Sequence, residues 1–438
     1  MDTLIDTLSV ITPGEYIRGS CGYCKNNHGD FSYRVDGVDV TVEFYQKLLD
    51  RGWRRSGKLL YKPDQRASCC PAYTIRVDSL EYHPSKDQRQ ALNRFNKQII
   101  GQKYLAAAAK IFPRNREQSQ KRKQEFDLVE RIHESESSEQ KFPLVHDQAF
   151  VVTLEVGNFT EEKYRLFENY QRVVHQQSPN QITRESFIGF LCASPIKEAH
   201  KDVNGTLLLT GSYHQCYWID GKLVAMGVLD LLPQCVSGVY FMCHESVREL
   251  NFGKISAMRE IALAKEKGYR WWYPGFYIHE NVKMKYKRKF APQQILSPES
   301  YQWHLFTKEI RLQLNYSKYI RLTGEENSDQ SSLLDESLSQ SSRNHQECNS
   351  DCHSHFNENL LAPLYMRNVP GTLNTKQLQT EVDLDSILIR LHNDIFQVRE
   401  LLTWNETTLD DYHSIKSVIA EAVSAVGPEL CKNMILEF

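Results

Sequence analysis

The sequence predicts an α+β fold divided among several units, on three observations. Between Tyr213 and Ile278 short apolar strands follow one another, broken by a tight turn, a loop and a helix. Before that, a mixed stretch from about residue 14 to 100 joins a short helix, a hairpin and a strand around four cysteines. After a polar tract at 323–360, Leu378 to Phe438 returns to helical patterning. At roughly 150 residues per domain, 438 residues make two or three domains.

Each element has a local reason. Thr41–Gly52 reads as an amphipathic helix: Phe44, Leu48 and Leu49 share a face, and Gly52 is a natural stop. Trp53–Tyr61 reads as a hairpin around Gly57, and Tyr73–Val77 alternates as a strand does. Asp87–Ile100 reads as a basic helix. Glu117–Lys141, rich in Lys, Glu, Gln and Ser, reads as a solvated helix or linker. Phe150–Val156 is a strand, and Thr160 caps a helix running to His175. Tyr213–Ile219, the turn Asp220–Lys222 and Leu223–Leu232 form a hairpin. Ser237–Cys243 is a third strand, Lys254–Lys267 a helix ended by Gly268, and Tyr269–Ile278 a fourth strand. Residues 323–360 are low in aromatics and lack periodicity, which reads as disorder. The expected units are 1–110 (cysteine-rich), 111–148 (charged helical linker), 149–322 (main sheet), 323–360 (insert) and 361–438 (helical).

A net charge of −2 carries no global signature of nucleic-acid binding, so basic surface must be local and no DNA partner is expected. No run approaches the roughly 18 apolar residues that span a bilayer, so no membrane partner is expected. The amino-terminal residues lack a secretory pattern. The chain therefore reads as cytoplasmic, with the nucleus open as a second compartment. Four of its 11 cysteines, Cys21, Cys24, Cys69 and Cys70, lie in two close pairs. Thiols stay reduced inside cells, and such pairs suit Zn²⁺ or an iron–sulfur cluster. Unligated buried cysteines, or a redox disulfide at Cys69–Cys70, are the other readings of the same residues.

The order hairpin, strand, loop, helix, strand is that of the acetyltransferase-like (GNAT) fold, in which two parallel strands splay to admit donor and acceptor. Such folds usually cradle coenzyme A pyrophosphate on a glycine-rich loop at the helix start. Here that loop, Arg248–Lys254, has a single glycine, Gly253, so coenzyme A is not expected as donor. Three blocks then resemble one family: Cys21-Gly-Tyr-Cys24 with Cys69-Cys70-Pro71, Tyr217–Pro233, and Gly275–Lys287. All are similar to arginyl-tRNA–protein transferases, which move arginine from arginyl-tRNA to N-terminal acidic residues of proteins and so mark them for ubiquitin-dependent degradation. The resemblance implies arginyl-tRNA as co-substrate, proteins with N-terminal Asp or Glu as acceptors (oxidised Cys left open), and a metal or iron–sulfur centre of structural or regulatory kind at the quartet.

The implied reaction is aminolysis of an ester, which needs positioning more than a covalent nucleophile. The donor guanidinium wants a carboxylate: Asp230 is the first candidate and Glu245 the second, and either could serve as the base instead. The acceptor's carboxylate wants a cation. The run His279–Lys289 offers Lys283, Lys285, Lys287 and Arg288, and Lys283 and Lys285 are preferred, with Tyr286 beside them. Tyr277 and His279 are candidates for proton transfer to the leaving ribose oxygen. Arg54, Arg55, Lys58 and Lys62 interleave with Trp53 and Tyr61, which suits tRNA backbone contact with stacking. Lys86, Arg89, Arg94 and Lys97 form a second basic stripe. Two rival readings stay open: an acyl-CoA-dependent N-acetyltransferase, and a non-enzymatic zinc-dependent RNA-binding adaptor.

Overall fold

The computed structural model describes residues 7–203, 206–282, 284–322, 362–392 and 394–438, without the side chains of 123 and 199–207. The polar tract 323–360 and Lys283 thus lie outside the described residues. The rest is a mixed α+β structure built on two mixed sheets.

The first sheet combines β1 (Ser9–Gly19), β2 (Asp30–Asp39), β3 (Arg54–Ser56) and β4 (Leu59–Pro63) with three late strands, β15 (Leu388–Leu391), β16 (Asp394–Gln397) and β17 (Met434–Glu437). Its order is β16-β15-β17-β1-β2-β4-β3, with β17 parallel to both β1 and β15. Helix α1 (Val42–Leu49) begins where the Thr41 side chain accepts from the Phe44 amide, and it buries Phe44, Leu48 and Leu49 as its spacing requires. A second helix near the end of the chain, Ile415–Val426, buries Ile419, Ala420, Val423 and Val426 in the same core.

The second sheet holds β5 (Tyr73–Asp78), β6 (Phe150–Val156), β7 (Ala199–Val203), β8 (Thr206–Ile219), β9 (Lys222–Leu232), β10 (Cys235–Cys243), β11 (Trp271–Tyr273), β12 (Phe276–Tyr277), β13 (Gln293–Leu296) and β14 (Trp303–Leu305). Its order is β14-β13-β5-β11-β10-β9-β8-β6, with β12 added to β5 and β7 to β8. The β8–β9 turn places Asp220 and Gly221 at φ +50° and +73°, the paired positive values that a two-residue hairpin turn demands. Strands show alternate residues to opposite faces. In β9, Ala225, Leu229 and Leu231 join the core with α4 (Phe252–Lys267), whereas Met226 and Val228 join the core with α3 (Glu161–Val174). The basic helix α2 (Lys86–Ile100) opens on a Ser85–Gln88 capping box.

Several expectations need correction. The expected amino-terminal unit lends β5 to the second sheet, where it lies between β11 and β13. The region 361–438, expected to be helical, supplies three strands of the first sheet, because Leu388–Leu391 and Met434–Glu437 are apolar runs too short to show a period. Unit limits drawn along the sequence therefore do not follow the sheets. The expected linker 111–148 holds helices at Arg116–Gln124 and Leu128–His133, and Leu128 and Ile132 are packed in the core with α4. The single strand expected at Tyr269–Ile278 is two short strands, broken at Pro274–Gly275.

Candidate active site

The break at Pro274–Gly275 opens the second sheet. β10 and β11 pair in parallel only over Cys235–Trp271, Val236–Trp272 and Ser237–Tyr273. Beyond that point the chain turns at Gly275, φ +79°, and β12 follows β5 instead. β10 continues to Cys243 against β9, with a bulge at Val239 between the pairs Gly238–Leu229 and Tyr240–Val228. A bulge beside a diverging strand re-aims side chains and is a frequent companion of active sites.

Two glycines lie at this split. A Cβ at Gly238 would lie 3.1 Å from Glu260 Oε2, and one at Gly275 would lie 3.6 Å from both Gly238 O and Lys287 Nζ. Glu260, on α4, is 6% exposed and accepts a 2.7 Å bond from Trp272 Nε1 at Oε2. Burial lifts its carboxyl to about 7, against the opposing pull of Trp272 and Lys287. Lys287, in the turn Lys285–Lys289, is 7% exposed and donates to Phe276 O at 2.8 Å. Burial brings its ammonium down to about 7; Arg54 adds to this and Glu260 opposes it. Arg54, on β3, is 6% exposed. Its Nη1 donates to Trp53 O at 2.7 Å, but Nε and Nη2 are buried without a partner. Its guanidinium lies 4.9 Å from the Phe276 ring centroid and 5.8 Å from that of Tyr273. Tyr286, in the same turn as Lys287, is partly exposed, and burial with the Glu260 charge raises its phenol. One carboxylate and two cations thus meet where two parallel strands part.

Asp230, the first candidate for the donor's guanidinium, is elsewhere. It is fully buried on the opposite face of β9 from Glu260, and both its oxygens are bound by Arg55, at 2.7 and 2.8 Å. Ser212 Oγ donates to it as well, at 2.7 Å. Arg55 also reaches Gly57 O and Ala193 O. A carboxylate so filled has no free side for a substrate, and the pair instead fastens β3 of the first sheet to β8 and β9 of the second. Glu245 is exposed and bonded to Asn169. Tyr277 donates or accepts at His279 Nδ1 (2.8 Å), and His279 Nε2 meets Asn315 Oδ1 at 2.7 Å. His279 shares a hollow with Cys70 and Pro71, and Glu260 is not among its lining residues. Lys285 is exposed.

The expected tRNA contacts on the β3–β4 hairpin are also corrected. Arg54, Arg55 and Lys62 are buried, Lys62 donating to Arg51 O and lying 4.9 Å from the Tyr301 ring centroid. Only Lys58 of the four is exposed. Alternation along the hairpin carried no sign that the first sheet's edge is covered by the second. On α2 the stripe is outward: Lys86, Arg94 and Lys97 are exposed and Arg89 half-buried.

The cysteine quartet does assemble. The Sγ atoms of Cys21, Cys24, Cys69 and Cys70 all lie within 4.8 Å of one another, Cys24 and Cys69 at 3.3 Å. Tetrahedral thiolates on one zinc ion lie about 3.8 Å apart, so the residues fit such an ion. Two local features shape the pocket. The Tyr23 amide donates to Cys21 Sγ, and a Cβ at Gly29 would lie 2.4 Å from Cys69 Sγ. Cys70 packs on the small cluster of Ala72, Phe276 and Ile278, so the quartet adjoins the ring on which Arg54 rests.

Sequence reasoning missed Glu260 and placed Arg54 in another role. The signal for Glu260 existed: it stands on α4 among Met258, Ile261 and Ala262, a carboxylate inside an apolar stripe. Lys287 was weighed within its basic run, but nothing in the run marks it as the lysine that, among the described residues, turns inward.

A parallel pair that splits beside buried acidic and basic side chains, with a cysteine quartet adjoining, makes a candidate active site. Residues 19–90 match the family described as arginine-tRNA-protein transferase, N terminus, and residues 162–297 match its C terminus. Among curated relatives, arginyl-tRNA–protein transferase 1 of Drosophila melanogaster is 26% identical, over 72% of this chain and 86% of the relative. That of Saccharomyces cerevisiae is 29% identical, over 62% and 58%. Aspartate/glutamate leucyltransferase of Helicobacter hepaticus is 23% identical, over 63% and 88%. The chain belongs to the arginine-tRNA-protein transferase family.

Proposed function

We infer that this chain transfers arginine from arginyl-tRNA to the α-amine of proteins whose first residue is Asp or Glu, marking them for ubiquitin-dependent degradation. The observation that carries the reading is the coincidence of the split with the family match: Gly238, Glu260, Gly275 and Lys287 all fall within residues 162–297. The acidic acceptor is supported by the bacterial relative, whose name specifies aspartate and glutamate. We also propose an acetyltransferase-like (GNAT) lineage for the second sheet; the order β8, β9, β10, α4, β11 and the bulge at Val239 support it.

The reaction joins the acceptor nitrogen to the arginyl carbonyl carbon and breaks that carbon's bond to the ribose oxygen. The ester is already activated, so holding amine and carbonyl in line supplies much of the rate. Backbone amides of β10 beyond the last β11 pair are suited to the carbonyl oxygen as it gains charge. The tRNA is proposed to lie along Lys58 and the α2 stripe Lys86, Arg94 and Lys97, the exposed cations among the basic candidates. A single zinc ion suits the quartet better than an iron–sulfur cluster, because several irons between the thiolates need more room than one ion. Zinc there would tie the 21–29 and 66–71 loops together, and no step of the transfer runs through it. Reduced thiols are required, so the cytoplasm is the proposed compartment.

The test is direct. Purified protein is given radiolabelled arginyl-tRNA or acetyl-CoA with a peptide beginning with Asp. Label from arginyl-tRNA in the peptide is expected; label from acetyl-CoA alone, or tRNA binding without transfer, would sink the reading.

A further inference from the structure

The buried groups at the split are not fully paired. Arg54 and Lys287 bring two basic groups against the single acid Glu260, and Arg54 Nε and Nη2 have no hydrogen-bond partner. A buried charge without a counter-charge is costly and is normally paired. The unpartnered edge of Arg54, with Lys287 nearby, therefore suits a ligand that presents an anion. The same ligand meets Glu260, which prefers an amine or another cation.

An amino-terminal Asp or Glu carries both groups, a side-chain carboxylate and an α-amine, a few ångströms apart. The donor's guanidinium would instead bring a third cation beside Arg54 and Lys287. We propose that the split between β10 and β11 is the acceptor subsite: Arg54 and Lys287 hold the side-chain carboxylate of the acceptor's first residue, and Glu260 holds and deprotonates its α-amine. This rests on the transferase reading above. Gly238 and Gly275 are then the positions that give the first residue room, since a side chain at either would point at Glu260 or Lys287. In the transfer the α-ammonium first gives one proton to Glu260. The freed nitrogen attacks the ester carbon, the C–N bond forms, and the C–O bond to the ribose breaks. The second nitrogen proton leaves with the ribose oxygen, giving the free hydroxyl. Proton acceptor and amine have similar affinities for the proton, the condition under which such transfer is most effective.

The test uses the whole 438-residue chain, arginyl-tRNA varied up to saturation, and two peptides that differ only in Asp or Asn at position 1. The wild type is expected to favour Asp by on the order of 100-fold in kcat/KM, the usual scale for an unpaired buried charge. Lys287→Met and Arg54→Gln should reduce that preference to a few-fold, through KM for the Asp peptide, with KM for arginyl-tRNA unchanged. Lys287→Arg should keep most of it. Glu260→Gln should lower kcat and keep the preference. A preference that persists in folded Lys287→Met, or a loss that falls on KM for arginyl-tRNA, overturns the proposal, the latter assigning the anion to a tRNA phosphate. A second measurement needs no variant: cyanate should carbamylate Lys287 in the wild type, and the Asp peptide but not the Asn peptide should protect it. Equal protection by both, or by neither, also overturns it. The protection assay reads binding alone, so it stands even if the wild type transfers no arginine, an outcome that would count against the transferase reading only.

Discussion

Asp230 shows how much a residue's partners decide its role. Read along the sequence, a carboxylate at the end of β9 could bind a guanidinium from the substrate. In the fold it already binds one, that of Arg55, and neither side chain is more than 1% exposed. Removing one partner of such a pair leaves a charge buried alone, which costs about 3–5 kcal/mol. Asp230→Asn is therefore expected to lower the unfolding free energy by that amount, read from the denaturant midpoint, and to reduce the yield of active protein. The molecules that remain folded should keep near-normal kcat. A stable Asp230→Asn protein with abolished turnover would return Asp230 to the chemistry. The same logic applies to Gly29, where any Cβ meets Cys69 Sγ. Gly29→Ala should lower zinc content, read by metal analysis, while the Asp-over-Asn preference persists.

At the scale of elements, a histidine clamp fastens the helix Leu128–His133 to α4. His133 Nδ1 meets Glu136 at 2.6 Å and Nε2 meets Glu266 at 2.7 Å, and Arg259 also binds Glu136. The hydrogen bonds to Glu136 and Glu266 raise the imidazole to about 9 from an ordinary 6.5. A raised folded value means the contribution is complete below about pH 6.5 and is lost as pH climbs through 9. The ring is a third exposed, so solvent screening reduces it to on the order of 1 kcal/mol. His133→Gln should thus destabilise at pH 6 and match the wild type near pH 10 in urea unfolding. Elements with a strong local pattern were legible beforehand: α3 with its Thr160 cap, the β8–β9 hairpin with Asp220–Gly221, and β10. What was not legible depends on contacts distant in sequence. β1 and β2 carry charges and glycines along their length, and nothing local says that β1 has β17 as a neighbour. The break in the fourth strand was written in Pro274–Gly275, yet its apolar flanks, Tyr269–Tyr273 and Phe276–Ile278, masked it. The site followed the same rule. The quartet was legible because thiols in close pairs have few other uses, whereas the turned-in Lys287 and the buried edge of β3 are properties of packing.

For the molecule as a whole, the two sheets are interleaved rather than strung in series. β5 of the early chain lies inside the second sheet, and β15 and β17 of the late chain complete the first. The Arg55–Asp230 pair and the Arg54 side chain then cross from one sheet to the other. A fragment covering 1–110 would carry β5 without the strands beside it and β1 without β17. It is expected to stay unfolded by circular dichroism, even with zinc present, and to bind no Asp peptide. A folded, zinc-binding fragment would argue for an independent unit. The parallel seam between Ser9–Ile11 and Met434–Leu436 has one more consequence, for the birth of the protein. Translation at roughly 5–20 residues per second leaves β1 without that neighbour for tens of seconds. Through that interval the nascent chain exposes a strand edge open to wrong partners, so this seam closes only after Met434–Leu436 has been made, and chaperone demand should fall on β1.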